Sequence, residues 1–104
     1  MKTASKKGEA LATALKAVAA TGTPEALSAN HEFVDWVIIQ ALQGNTSTLL
    51  CVGDSNVDLT TARGTVLGKL NSVSLHGVYL DEVFVDVGTN GDGVSMIYKE
   101  TRKL

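Results

Sequence analysis

Between Phe33 and Leu42 the chain reads Phe-Val-Asp-Trp-Val-Ile-Ile-Gln-Ala-Leu, a run of β-branched and aromatic residues too rich for a surface helix. In a strand, alternate side chains face opposite ways. One face then carries Phe33, Val37, Ile39 and Ala41, and the other Val34, Trp36, Ile38 and Leu42. Both faces are apolar, so this strand is expected to be central in a sheet, or covered on its outer side by a partner.

The rest of the chain follows the same period. Gln43-Gly44-Asn45-Thr46 is a turn. Thr48–Val52 is a second strand, closed by Gly53-Asp54-Ser55-Asn56. Thr65–Leu67 and Ser72–Leu75 are shorter strands, split by Gly68-Lys69-Leu70-Asn71. In Glu82–Val87, Val83, Val85 and Val87 are expected inward, with Glu82 and Asp86 outward and Phe84 on that polar face. Thr89-Asn90-Gly91-Asp92-Gly93 is the strongest hairpin signal, because Asn-Gly accepts positive φ. Val94–Lys99 closes the sheet, with Val94, Met96 and Tyr98 on one face. Strands recurring at short intervals between polar turns predict an all-β chain, a compact antiparallel β-sandwich of jelly-roll-like form.

The N-terminal fifth is ambiguous. Leu11, Leu15 and Val18 fit a helical face, and alanine favours helix, yet the stretch also suits an edge strand. Thr21-Gly22-Thr23-Pro24 ends either element. Residues 1–12 are expected as a short flexible basic arm and 13–104 as the sandwich domain.

Several function classes drop out. The net charge of -2 does not suggest a general nucleic-acid binder. No apolar run approaches the roughly 20 residues of a membrane span. A single cysteine excludes an internal disulfide and a four-thiolate zinc site. Cys51 is expected to pack as a small apolar residue. Leu50-Cys51-Val52-Gly53-Asp54-Ser55 resembles the nucleophile block of the GDSL esterases, but neither His31 nor His76 has an Asp three residues before it. A serine without a base is a poor nucleophile, so the stretch reads as a polar turn and no catalytic residue is expected. Asp54-x-Asn56-x-Asp58 begins like a calcium loop, but Leu59 and Thr65 stand where glycine and glutamate are needed. His31 and His76 lack ligand spacing, so neither metal nor cofactor is expected.

Charge is unevenly laid out. Residues 1–16 carry Lys2, Lys6, Lys7 and Lys16 against Glu9, and residues 17–98 hold only Arg63 and Lys69 against nine acids. Basic ends on an acidic body suit docking to an acidic partner surface, although solvated ends also tolerate lysine.

From Thr21 to Tyr98 the chain resembles a family of small β-sandwich proteins encoded among the virion structural genes of tailed bacteriophages. Thr21–Leu27 is similar to the family's opening turn, Trp36–Leu42 to its central strand and Gly44-Asn45-Thr46 to the turn after it. Val52-Gly53-Asp54-Ser55-Asn56-Val57 resembles its VGDSxV block. Thr60–Gly64 followed by Leu67 resembles its TTxxGxxL segment. Leu80–Asp86 and Asn90–Ser95 complete the order. The lysine-rich N-terminus is longer than the family pattern.

The resemblance implies a non-enzymatic virion component and a first strand near residues 13–20. A chain ending soon after its last strand suits a capsid decoration, or cement, protein better than the base of a fibre. Such a protein would be made in the host bacterial cytoplasm and sit on the capsid surface. It would bind the major capsid protein or another virion protein as a homo-oligomer, with a trimer favoured. Lys2, Lys6, Lys7, Trp36 and Phe84 are the expected partner-binding residues. A neck, tail or fibre-adaptor subunit is the alternative, and a host-glycan-binding module through Trp36 a further one.

Overall fold

The computed structural model describes residues 10–101, in which eight strands alternate between two sheets. In chain order they are β1 (Leu11–Ala17), β2 (Glu25–Ala26), β3 (Phe33–Ala41), β4 (Leu49–Gly53), β5 (Thr65–Gly68), β6 (Ser72–Tyr79), β7 (Phe84–Val87) and β8 (Gly93–Glu100). One sheet has the order β1-β8-β3-β6 and the other β2-β7-β4-β5, and every strand pair is antiparallel. The pairs β4–β5, β3–β6, β2–β7 and β1–β8 nest one inside the next, as in a long hairpin folded over on itself. That is the strand order of a jelly roll, so the expected all-β sandwich is present.

The nesting corrects one expectation. Thr89–Gly93 is not a β-hairpin, because β7 and β8 lie in different sheets. The local turn is still there: Asp92 N–H donates to the Thr89 carbonyl (3.1 Å), and Gly91 takes φ +91°. Local chemistry chose the turn, while burial on two opposed faces chose where the chain went after it. Only β4 and β5 are consecutive strands within one sheet, joined by the loop 54–64.

The core lies between the sheets. Val34, Val37, Ile39, Ala41, Val94 and Met96 meet Leu50, Val52, Leu67, Val85 and Val87 there. The two faces of β3 differ from simple alternation. A bulge between Val34 and Trp36, in the pairing with β8, inserts Asp35 as an extra residue. Val34 thereby joins Val37, Ile39 and Ala41 in the core, and Phe33 is left exposed. As expected, β3 is central in its sheet.

Residues 11–17 form strand, not helix. A helix this short is marginal in water, whereas β1 finds a partner in β8 for every residue from Leu11↔Lys99 to Ala17↔Gly93. The strand starts inside the span expected as an arm. Its neighbours fit tightly: a Cβ on Gly93 would run into the Lys16 carbonyl and the Ala17 backbone. Gly44, by contrast, has open space around it. Gly93→Ala should therefore destabilise the fold by about 1–3 kcal/mol, and Gly44→Ala should change it by less than about 0.5 kcal/mol. Urea unfolding midpoints of the two variants check this.

Candidate interaction face

The two sheets differ in what covers their outer surfaces. On β7, Val85 and Val87 point into the core, so Asp86 points out of the sandwich. It was expected in solvent and is instead buried, because two connections fold back over it. Its carboxylate accepts the backbone N–H of Gly22 (3.0 Å) and of Leu59 (2.8 Å). Beside it, fully buried Cys51 donates its thiol to the Arg63 carbonyl (3.3 Å), and burial raises the thiol pKa above the usual 9.0. Val57 packs on Gly53 and Gly64, closing the 54–64 loop onto the sheet.

No described segment covers the other sheet. Its register sets three outward rows across β1, β8, β3 and β6: Leu11–Lys99–Trp36–His76, Thr13–Ile97–Ile38–Ser74 and Leu15–Ser95–Gln40–Ser72. Leu15 is 74% exposed and Leu11 51%. Ile38 is also exposed, and Trp36 and Ile97 are half-buried by their neighbours. Trp36, Ile38, Ser74 and His76 line a shallow depression of about 230 Å3. Asp35 places a carboxylate at the rim. It accepts a hydrogen bond from the Thr101 hydroxyl (2.6 Å) and faces Lys99 at 3.5 Å, and together they hold its pKa below the usual value. The face thus sets five apolar side chains, Leu11, Leu15, Trp36, Ile38 and Ile97, among mostly uncharged polar ones, on a body whose middle is strongly acidic.

Beyond Trp36, at the end of β3 and β6, His31 stacks flat on Tyr79 (3.8 Å between ring centres, 7° apart), with Phe33 edge-on to Tyr79. His31 Nδ1 contacts both Asp81 oxygens at 2.9 and 3.0 Å. One ligand atom each of His31, Asp81 and Glu82 lies within 4.8 Å of the others. An exposed hydrogen bond between His31 and Asp81 accounts for this arrangement, and no buried orphan polar atom marks a cation there. The adjoining open depression, about 650 Å3, also includes Glu32 and Glu100.

The expected partner-binding residues are dispersed. Trp36 stands on the bare face. Phe84 lies in the other sheet, between Ala26 of β2 and Gly53 of β4, and is half-buried. The structure therefore does not bring Trp36 and Phe84 together. Lys2, Lys6 and Lys7 lie outside the described residues. Leu11, Leu15 and Ile97, which complete the face, were not singled out. The alternation of Leu11, Thr13, Leu15 and Ala17 carried that signal once a strand is assigned there.

Ser55 sits in the 54–64 loop and has no hydrogen bond to either histidine among the described contacts. Asp54 and Asp58 each accept a backbone N–H two residues on, from Asn56 (2.9 Å) and Thr60 (3.0 Å), which makes them turn formers. Comparison of the chain with protein-family models, curated proteins and solved structures returns no match.

One electrostatic feature at the end of the face is testable. A hydrogen bond from Glu32 to Glu100, with burial and like charge adding to it, raises the Glu32 pKa above its ordinary 4.5. The folded state then holds that proton more tightly than the unfolded chain. Stability falls as pH rises from about 4.5 through the raised pKa. Glu32→Gln should remove this loss. Thermal unfolding should show the variant more stable than wild type at pH 7, by a few tenths of a kcal/mol. The gain should vanish below pH 4.

Proposed function

We propose that this protein is a structural component of a bacteriophage virion, a capsid decoration protein that binds the outside of the assembled head and stabilises it. The observation that carries the reading is the bare outer face of the β1-β8-β3-β6 sheet. On the other sheet two connections fold over Asp86 and Cys51, leaving Leu49 and Val66 exposed, whereas this one presents Trp36, Ile38, Ile97, Leu11 and Leu15, with Asp35 paired to Lys99 at the rim. Apolar patches depleted of charge are what the centres of protein–protein contacts look like. The jelly roll serves shell proteins and lectins alike, so the fold alone does not choose between them. The resemblance along residues 21–98 supports the virion setting.

A domain that binds the closed shell and not its separated subunits stabilises the shell by mass action. Repetition over many equivalent positions makes a modest affinity per site sufficient. The partner is the major capsid protein, and Lys2, Lys6 and Lys7 supply positive charge for acidic shell loops. The protein acts as a homo-oligomer and catalyses no reaction. Among the described residues no surface singles out a threefold contact.

The neck or tail reading uses the same face and differs in copy number. The glycan reading keeps Trp36 beside Ser74 and His76 as its platform.

Heating purified particles with and without the protein tests the cementing role. Decorated particles should disrupt at a higher temperature, and equal temperatures would overturn the proposal. Trp36→Ala and Ile38→Lys should each weaken particle binding by about tenfold or more. Leu70→Lys, at an exposed apolar residue outside the face, should leave binding unchanged. A dozen or fewer copies per particle would move the protein to the neck or tail.

A further inference from the structure

The four sheet edges are unequal. On one sheet they are β2, with two residues, and β5, with four. On the other, β6 carries Gly77 at φ +63°, opposite the β3 bulge, which interrupts its regularity. The remaining edge, β1, is seven residues of continuous strand without glycine or proline. Among the described residues no strand pairs with its outer side, and such an edge presents a row of backbone donors and acceptors ready to accept another strand.

Hydrogen bonding fixes which residues offer them. The Glu100 N–H donates to the Ala10 carbonyl and the Val18 N–H to the Asp92 carbonyl, both at 2.9 Å. The even-numbered residues of β1 therefore bond towards β8. Leu11, Thr13, Leu15 and Ala17 direct their N–H and C=O groups to the open edge.

We infer that β1 pairs antiparallel with β1 of a second copy of this chain, about a two-fold axis through Ala14. That register sets Leu11 against Ala17 and Thr13 against Leu15 of the other copy, odd residues on odd, so every free edge group meets its complement. The four bonded pairs supply about eight hydrogen bonds, two per pair. Leu11 and Leu15 lie on the same outward face and gain small or apolar neighbours across the axis.

Lys16, the one charge on the strand, points between the sheets to Glu25 (2.8 Å) and stands opposite Ala12 of the other copy, so no like charges meet. The contact is isologous and closes at two copies. It joins the two outer faces into one eight-stranded surface. The pairing does not depend on the shell-docking reading, since solution mass reports one and particle binding the other.

A contact of this size is at the low end of stable interfaces, so the two-copy form should be concentration dependent. Sedimentation and light scattering of the full chain up to about 100 μM should show a two-copy mass. Thr13→Pro removes an edge N–H and leaves the bonds to β8 intact, and Leu15→Lys charges the outward row. Each should raise the dissociation constant by about tenfold or more, with the circular dichroism spectrum unchanged. Ala14→Cys places two thiols across the axis on Cα atoms about 4.5 Å apart, within disulfide range. Mild oxidation should give a cross-linked pair, with buried Cys51 unreactive. If the two edge variants fail to fold, this cross-link decides. A monomer at the highest concentration, a three-copy mass, or a pair that neither edge variant weakens and Ala14→Cys does not cross-link would overturn the inference.

Discussion

Two buried carboxylates and one buried amide hold the connections of this fold in place. A nested jelly roll makes its chain cross between sheets again and again, and each crossing carries backbone N–H groups that have left one ladder and not joined another. Asp92 accepts the N–H groups of Thr46 (2.8 Å) and Ser47 (2.9 Å), which ties the β3–β4 crossing to the β7–β8 crossing. Asn45 bonds Gly93 in both directions, donating to its carbonyl and accepting from its N–H. Asp86 does the same service on the other sheet for Gly22 and Leu59. Each such bond to a charged acceptor is worth about 1.5–3 kcal/mol. Leaving the donors buried and unpaired would cost a comparable amount. These acids, which from sequence look like solvent-facing residues of a polar strand and a turn, are the joints of the molecule.

That explains where the sequence was legible. The alternation in β8, with Val94 and Met96 in the core and Tyr98 packed against it, was readable because both flanking strands reward the same face. The antiparallel sandwich followed from recurring apolar runs between turn residues. The nesting did not, because Asn90-Gly91 announces a turn without saying whether the chain folds back beside itself or crosses to another sheet. Asp86 was misplaced for a related reason. Alternation names the face a residue takes, but only the 19–24 and 54–64 connections determine whether that face is wet. The strand at Leu11–Ala17 was ambiguous because alanine on its own favours helix, and the ladder with β8 overrode it.

The candidate face was half legible. Trp36 stands out in any reading of β3, but its neighbours on the sheet come from Lys99, His76 and Leu11, distant in sequence and joined only by register. Phe84 drew attention as an aromatic residue in a polar row, yet its strand belongs to the other sheet. A sheet face is a property of four strands, and no single strand reports it.

The bulge at Asp35 ties these points together. Without it, strict alternation from buried Val34 would send Trp36, Ile38 and Gln40 into the core and turn Val37, Ile39 and Ala41 outward. The extra residue reverses the phase of the strand after Val34. The compact set Val37, Ile39 and Ala41 then fills the narrow space between the sheets, and the bulkier Trp36 is kept outside with Ile38. Gly77 stands opposite in β6, bracketed by the pairs Val34↔Val78 and Trp36↔His76, and its positive φ lets that strand follow the kink. Asp35 itself is turned to the rim, where Thr101 and Lys99 engage its carboxylate. One inserted residue therefore determines both what the core contains and what β3 displays outside it, so the exposure of Trp36 and Ile38 is built into the packing of the domain.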